Sequence, residues 1–369
     1  MKKNLLTFFT IVLFCLKGNA QTPAIMMTTT NEVGTEFSIG LASSVNNVSI
    51  DFGDGVKLNK TIGTNLSEIT GILGITKTIK IYGTGITQLF CENKSLVNLD
   101  ITNCLTLKTL NCQKNKLVNL DLTHNTALID LYCGINNLTS LDVSKNANLW
   151  YLGCTYNKLS AIDVANNSAL KLFTCEHNDI RFSGLHLKEG AFDVLSYVPQ
   201  NPIQIGKTAI INTVIDLNSE FSIQGIQTNY VWKTKGGNFL VEGTDYTIQY
   251  GRTTFIKHQT DSVYCVLTNT QFPDFKNENV LKTTYTLIEL PTALTNHITN
   301  KVSVNVIDGV VQIALLDNAN ATIYDLYGRI LSKKVLVIGT NTLKLNNKGL
   351  YIIKINGPNT SSSHRVLIE

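Results

Sequence analysis

The sequence predicts a mostly β protein built around a solenoid of 21-residue turns. The first observation is a cysteine that recurs every 21 residues without drift, at Cys91, Cys112, Cys133, Cys154 and Cys175. The second is that columns of Leu, Asp and Asn keep the same period over about ninety residues, a regularity typical of repeat proteins. The third is that short strand-like runs, separated by Asn, Asp and Gly turns, flank the repeat on both sides.

The first twenty residues are predicted to form a secretory signal peptide. A basic start precedes a mostly apolar run from Leu5 to Leu16, and small residues ending at Ala20 offer a cleavage site. The run is shorter than the roughly 20 residues that a membrane span needs, so no transmembrane segment is expected. Cys15 would be the site of a lipid anchor, but the bulky Phe14 before it disfavours that alternative.

The charge of the mature chain excludes one class of partner. Removing the signal takes away three of 31 basic residues and none of 27 acidic residues, so the net charge falls from +4 to near +1. This balance gives little attraction to nucleic acid or to an anionic membrane surface. Charged residues make up only 16% of the chain, which together with abundant Asn and Thr is typical of a β-rich extracellular protein.

The repeat spans residues 79–182, and one turn reads L-x-x-L-x-C-x-x-N-x-L-x-x-L-D-[LIV]-x-x-N-x-x. Its first half, as in Leu107 to Leu117, resembles the leucine-rich-repeat signature with Cys at an apolar strand position. The resemblance is greatest to the 21-residue repeats of Bacteroidetes surface proteins, and looser to internalin-like repeats. A second half of similar shape predicts two short strands in every turn. Lys94 and Cys104 depart from the pattern, because later turns have Asn at both positions.

The cysteine column is interpreted as filler of the solenoid core, since a buried thiol behaves as a small hydrophobe. A straight ladder of one thiol per turn does not converge on a metal ion. In-register neighbours are also poorly oriented for a disulfide, and seven mature cysteines leave one unpaired. Disulfide and metal site remain alternatives to the structural role. No cofactor is expected.

The two polar columns are interpreted as turn-forming. Asn side chains at the corners of each turn are expected to satisfy amides that the bend leaves unpaired. The carboxylates of the Asp column are expected to accept hydrogen bonds from nearby backbone or hydroxyl groups, as with Thr123 or Ser144. Calcium is the alternative, although its usual six to eight oxygen ligands gather in one loop. The Asp column comprises Asp100, Asp121, Asp142 and Asp163.

The candidate binding surface is the outward face of the Cys-bearing strands. Residues that alternate with the buried Leu and Cys vary from turn to turn while the core columns do not. Tyr132, Tyr151 and Tyr156 are expected to cluster across two adjacent turns, with Trp150 beside them. Exposed aromatic rings with neighbouring polar groups are typical of protein- or glycan-binding patches, although a β-rich surface also carries some Tyr without function. The candidate ligand-binding residues are Tyr132, Tyr151, Tyr156, Gln113, Asp130 and Glu176.

Two β domains are predicted beside the repeat. Residues 21–78 are interpreted as an N-terminal β cap, because an open solenoid end would expose its core. Its Asp51 to Gly55 turn resembles a loop of polycystic-kidney-disease-type β domains, and carbohydrate recognition is an alternative role for this region. Residues 196–289 are predicted to form an immunoglobulin-like sandwich, in which Trp232 resembles the core tryptophan.

The end of the chain carries a second resemblance. A linker at residues 290–300 precedes a small β-sandwich at residues 301–369. The runs Ile323 to Arg329 and Leu345 to Ile355 resemble the C-terminal sorting domain of type IX secretion. The resemblance implies that the type IX machinery is a partner, and that the protein is released or attached to the outer-membrane surface. It also implies removal of this domain after export.

Function is predicted to be non-catalytic. The six histidines are scattered, and the chain has no zinc-protease, nucleophile-elbow, P-loop or dinucleotide motif. The main hypothesis is an exported adhesion protein that binds a surface protein or glycan through the outward strand face of the repeats. The alternative is a structural display component, in which the repeats are a stalk and the immunoglobulin-like domain carries recognition.

Overall fold

The computed structural model describes residues 21–290 except 46, and residues 302–368 except 308, 309, 346 and 359. The predicted signal peptide and nearly all of the predicted linker lie outside this part of the chain. No α-helix occurs in it. The described residues form two compact units, the first extending to Cys175 and including His186–Ser196, the second comprising Glu176–Leu185 and continuing from Tyr197.

The N-terminal strands build a cap over the first turn of the solenoid. β2 pairs antiparallel with the first strand of that turn, and β1 pairs antiparallel with its second strand. Both backbone edges that the first turn would expose are therefore hydrogen-bonded. The strands are β1 (Ile25–Thr29), β2 (Glu36–Ser43), β3 (Asn47–Asp51), β4 (Lys57–Thr61), β5 (Ser67–Ile72) and β6 (Thr78–Tyr82).

The repeat strands follow in chain order, with a 3-10 turn at Phe182–Gly184. Six of them, all except β8, β12 and β14, are joined to β2 and β5 in one eight-stranded sheet. The strands are β7 (Ile86–Phe90), β8 (Leu96–Asp100), β9 (Thr109–Asn111), β10 (Asp130–Tyr132), β11 (Tyr151–Gly153), β12 (Ile162–Asp163), β13 (Leu172–Thr174), β14 (Leu185–His186) and β15 (Val194–Ser196).

The limits of the repeat differ from the sequence pattern at both ends. β6, at the predicted start, belongs to the cap sheet because it pairs with β1 and β3. β15 lies beyond the predicted end at residue 182, yet it pairs parallel with β13 and extends the solenoid sheet. The sequence gives no marker there, because Val194–Ser196 lacks the Cys and Asn that identify the earlier turns.

The solenoid core consists of the apolar columns in register. Leu110, Leu131 and Leu152 are fully buried on successive strands, and the thiols of the cysteine column are fully buried beside them. Parallel strands lie about 4.8 Å apart, so each turn packs its apolar edge directly on its neighbours. The predicted 21-residue solenoid is confirmed.

An asparagine ladder holds one corner of the solenoid. The Asn136 Nδ2 donates to the carbonyl oxygens of Cys112 and Cys133 at 3.0 and 3.1 Å. Its Oδ1 accepts from the backbone N–H of Leu117 at 3.0 Å, which links two turns. Asn115 and Asn157 make the same contacts one turn away on either side. The corner role expected of this column is confirmed.

The prediction of two strands in every turn is wrong. On the side opposite the cysteines, the first and fourth turns contain the strands β8 and β12, whereas the second and third turns contain none. The first turn has one because β1 of the cap supplies a complete ladder partner. In the second and third turns, this side starts with one backbone hydrogen bond to the preceding turn, such as that from the Asn137 N–H to the Leu117 carbonyl. The chain then bends at the Asp column, so the backbone hydrogen bonds do not continue as a β-ladder.

The second unit contains small facing sheets after the repeat. Sheets β17-β22-β21 and β20-β23-β24 meet where Trp232 packs edge-on against Phe255 at 4.9 Å between ring centroids. The immunoglobulin-like class stays a prediction. The strands are β16 (Thr208–Ile210), β17 (Val214–Asp216), β18 (Ser222–Ile223), β19 (Ile226–Gln227), β20 (Asn229–Thr234), β21 (Tyr246–Gln249), β22 (Arg252–Phe255), β23 (Val263–Thr268), β24 (Leu281–Lys282) and β25 (Leu287–Glu289), with 3-10 turns at Asn218–Glu220 and Asn277–Asn279.

The last seven strands form two antiparallel sheets around a common apolar core, in the orders β26-β27-β30 and β29-β28-β31-β32. The small β-sandwich predicted for this region is confirmed, although β32 is polar in its first half, Thr360 to His364. The strands are β26 (Val302–Ile307), β27 (Val310–Leu315), β28 (Ala319–Tyr324), β29 (Ile330–Leu336), β30 (Gly339–Lys344), β31 (Gly349–Gly357) and β32 (Thr360–Ile368).

Candidate functional site

The candidate site is the outward surface of the eight-stranded sheet, which we call the outer face. Two rows of side chains cross the strands in register. One row runs through Phe90, Asn111, Tyr132, Gly153 and Thr174, and the other through Gln88, Thr109, Asp130, Tyr151 and Leu172. Most of these side chains are half-buried, so they are accessible but held by their neighbours.

A stacked tyrosine pair lies at the centre of the outer face. The rings of Tyr132 and Tyr151 have centroids 4.3 Å apart and planes inclined by 27°. The Tyr151 hydroxyl lies over Gly153, only 2.6 Å from where a Cβ atom would stand. The glycine therefore gives Tyr151 room to extend along its own strand and reach the ring of Tyr132. Burial, with the nearby Asp130 carboxylate, raises the pKa of the Tyr132 hydroxyl.

Polar groups surround the tyrosine pair. The Thr109 hydroxyl donates to the Asp130 carboxylate at 3.2 Å across two strands. Gln113 follows on the next corner, and its backbone N–H donates to the Asn111 side chain at 3.3 Å. These contacts fix the orientation of Asp130 and Asn111 beside the aromatic rings. The surface offers acceptors, donors and aromatic area within a few strand spacings.

Tyr156 and Glu176, also predicted for the site, do not belong to the two in-register rows. Tyr156 lies at the corner after Tyr151, with a left-handed backbone (φ 54°) and 53% of its surface exposed. Asn93, Lys114 and Ile135 have the same conformation one to three turns earlier. Glu176 belongs to the second compact unit, whereas the two rows of the outer face belong to the first. Trp150 is exposed immediately before Tyr151.

Two features of the outer face were missed by sequence reasoning. The sequence pattern does not single out Gly153, although the position of the Tyr151 ring depends on it. The cap strands β2 and β5 were not expected to extend the same sheet and carry its face beyond the repeats. The departure of Lys94 from the Asn pattern was the available signal for a special first turn.

The aspartate column lies away from the outer face and is turn-forming. The Asp121 carboxylate accepts from the backbone N–H and the hydroxyl of Thr123, at 2.9 and 2.7 Å. Asp142 accepts in the same way from the backbone N–H of Ser144 at 2.8 Å. These hydrogen bonds favour the charged form and lower the pKa of both carboxyls. Among the described residues, no group of three or more potential ligands is placed to hold a metal ion.

The thiols of the described residues are buried, and no disulfide bond joins any of them. Burial raises the pKa of Cys112 to about 12, and it raises the pKa of Cys133 well above the ordinary thiol value. Since the thiolate is the reactive form, the column should be inert in the folded protein.

We expect native protein at pH 8.5 to react with iodoacetamide on the order of a thousandfold more slowly than urea-unfolded protein, because a thiol pKa near 12 suppresses the thiolate. Alkylation followed by mass spectrometry checks this. Alkylation of the native protein at the rate of the unfolded protein, or a mass deficit from disulfides, would contradict it.

The free energy of unfolding should fall above about pH 8.5, because the thiols of the unfolded chain ionise there while those of the folded chain keep their protons.

Comparison with known proteins identifies the last domain of the chain. Residues 299–369 match the family described as the secretion system C-terminal sorting domain. The C-terminal β-sandwich is a type IX sorting domain. The protein is therefore secreted or attached to the cell surface, and the secretion machinery is one of its partners. None of the described helices is long and apolar enough to cross a membrane.

The other comparisons give weaker likenesses. The functional domain of InlJ from Listeria monocytogenes, described as including a cysteine ladder, is 22% identical with a TM-score of 0.38. That match covers 56% of this chain and 49% of the InlJ chain, so it spans about half of that protein's length. The CD2-binding domain of CD58 matches at 9% identity and a TM-score of 0.16, over 46% of this chain and 98% of that one. No curated protein matches the chain.

The sorting domain leads to a prediction about the exported protein. We expect its C-terminus to lie before about residue 300, close to where the sorting domain begins at residue 299. The reason is that the resemblance to such sorting domains implies removal of the domain after export. Intact mass spectrometry of the exported protein checks this. A mass that includes residue 369 would contradict it.

Proposed function

We propose that the protein is an exported, non-catalytic binding protein that holds a protein or glycan ligand on the outer face. The observation that carries the proposal is the stacked Tyr132–Tyr151 pair, placed over Gly153 on a hydrogen-bonded sheet. Aromatic side chains held in position lose little conformational entropy on binding and provide a large contact area.

The variation of the rows supports the same conclusion. In register with Tyr132 the neighbouring strands have Asn111 and Gly153, and in register with Tyr151 they have Asp130 and Leu172. The buried columns beneath keep Leu and Cys in the same turns. Packing therefore dictates the inner columns but not the outer ones, which leaves the outer rows available for recognition.

A second candidate is recognition by the sandwich domain, with the repeats as a stalk. Phe239, Val241, Tyr250 and Tyr285 there are between 49% and 69% exposed. A contiguous patch of such side chains would favour a partner surface. A binding experiment must therefore test both domains.

The experiment is a screen of the full mature chain on glycan and surface-protein arrays, with variants of each surface. Tyr132→Ala with Tyr151→Ala should weaken the hits at least about tenfold, as expected for the loss of central aromatic contacts. Gly153→Ala should also weaken them, since its Cβ would displace the Tyr151 hydroxyl while both rings remain. Tyr285→Ala is the matched control on the sandwich.

The variants separate the outcomes. Loss of the hits in the tyrosine and Gly153 variants, with unchanged melting temperature, supports the outer face. Loss only in Tyr285→Ala moves recognition to the sandwich and contradicts the proposal. Hits that survive in all the variants contradict both assignments.

A further inference from the structure

A depression opens on the outer face where the cap meets the first turn. It has a volume of about 320 Å³, and it lies on the same side of the sheet as the tyrosine pair. Phe90, in its wall, is in register with Asn111 and then Tyr132 across two neighbouring strands. Its lining includes Ser38, Gly40, Glu68, Phe90, Glu92 and Lys94.

The depression depends on the position where the repeat departs from its pattern. Asn115, Asn136 and Asn157 turn their amides inward to the carbonyls of the cysteine column. Lys94 stands one turn earlier in the same column, where the backbone N–H of Leu96 still donates to the Asn115 Oδ1 at 2.9 Å, as that of Leu117 does to Asn136. Its side chain instead extends toward the cap, where Nζ donates to the Ser38 hydroxyl at 3.0 Å. The fold thus keeps the corner while the ammonium group enters the depression.

The lining of the depression contains a glycine paired with an aromatic residue. Gly40 and Phe90 are directly paired across β2 and β7. A Cβ atom on Gly40 would stand 3.0 Å from the Phe90 Cβ and 3.2 Å from Leu66 Cδ1. Any larger residue at position 40 would therefore fill the space or push the ring of Phe90 aside.

The groups in the depression suit a polyhydroxyl ligand. Lys94 and Ser38 provide donors, the carboxylates of Glu68 and Glu92 provide acceptors, and Phe90 provides an apolar wall. A sugar hydroxyl both donates and accepts, and the C–H face of a pyranose packs on an aromatic ring. The two carboxylates repel an anion, and the ammonium group of Lys94 offsets part of their charge and so weakens the attraction of a cation. None of the ion pairs among the described residues involves Lys94, Glu68 or Glu92.

We infer that this depression is a subsite for a neutral pyranose residue of a linear glycan that continues across the strands to the tyrosine pair. The inference rests on the proposed function and names its ligand class. Phe90 and Tyr132 are two strands apart, about 10 Å at the usual strand spacing, so one short saccharide chain can contact both. The binding should depend little on salt, because the ligand carries no charge.

The test uses affinity electrophoresis of the full mature chain against neutral polysaccharides, namely β-1,3-glucan, β-1,4-glucan, xylan, mannan and chitin oligomers. Lys94→Asn is the informative variant, because it restores the residue that the repeat has elsewhere while it removes the ammonium group. Its melting temperature should not fall, and its affinity for the retained glycan should fall at least tenfold. Lys108→Asn removes a lysine from the same unit outside the depression and should change nothing. Lys94→Met serves as a second variant if Lys94→Asn is less stable.

The possible results separate the glycan subsite from the proposed function on which it rests. Retardation by a neutral glycan that Lys94→Asn and Lys94→Met lose supports the subsite. Retardation that both variants keep overturns the subsite but leaves glycan binding on the outer face. No retardation on the panel, with a tyrosine-dependent protein partner on the arrays, overturns the glycan inference and leaves the proposed function standing. No tyrosine-dependent ligand of either kind overturns both.

Discussion

Asn136→Ala is expected to lower the free energy of unfolding by about 2–5 kcal/mol, because it removes three buried hydrogen bonds at one corner. The largest part comes from the backbone N–H of Leu117, which loses the Asn136 Oδ1 and stays buried. The carbonyls of Cys112 and Cys133 lose less, since Asn115 and Asn157 each continue to donate to one of them. Urea denaturation followed by circular dichroism measures the change.

The matched control for this prediction is the next residue. Asn137→Ala leaves the Asn ladder intact, and the backbone N–H of residue 137 still donates to the Leu117 carbonyl at 2.8 Å. Its effect should stay within about 0.5 kcal/mol, as for most surface substitutions. Equal effects of the two variants would show that the ladder is not what holds the corner.

Removal of the cap is the second large effect that we expect. A chain that begins at Gly85 lacks β1 and β2, so the strands of the first turn lose their antiparallel partners. Leu89, Leu96 and Leu99, now buried, would then lie at an open end of the solenoid. Because repeat arrays need polar caps for solubility, this chain should aggregate or lose its cooperative transition.

The comparison for cap removal is a chain that begins at Gln21. Thermal unfolding and size-exclusion chromatography of the two chains give the measurement. A chain from Gly85 that stays monomeric and melts at the same temperature would show that the N-terminal strands are an appended domain and not a cap.

The sequence was sufficient for features that repeat. The Leu, Cys and Asn columns fixed the solenoid and its corners, because burial and buried hydrogen bonds demand the same residue in every turn. The Asp column was interpreted correctly for the same reason, since each carboxylate caps its own turn. The motif residues of the sorting domain were also sufficient to predict it, and the family match agrees.

The sequence did not predict contacts between elements that share no sequence pattern. Strand pairing between the cap and the first turn joins Gly40 to Phe90, positions fifty residues apart that share no pattern. The end of the solenoid at Val194–Ser196 lacks the marker residues, so its backbone pairing could not be anticipated. The position of Tyr151 over Gly153 depends on a side-chain direction, which periodicity does not specify.

The measurement that tests the central claim most directly is radical footprinting of the full mature protein with and without the ligand that the arrays select. The account predicts that protection is greatest in the peptides that carry Tyr132 and Tyr151, the stacked pair of the outer face. It predicts little change at Tyr250 and Tyr285 in the sandwich. Protection confined to the sandwich, with Tyr132 and Tyr151 equally oxidised in both states, would contradict recognition by the outer face.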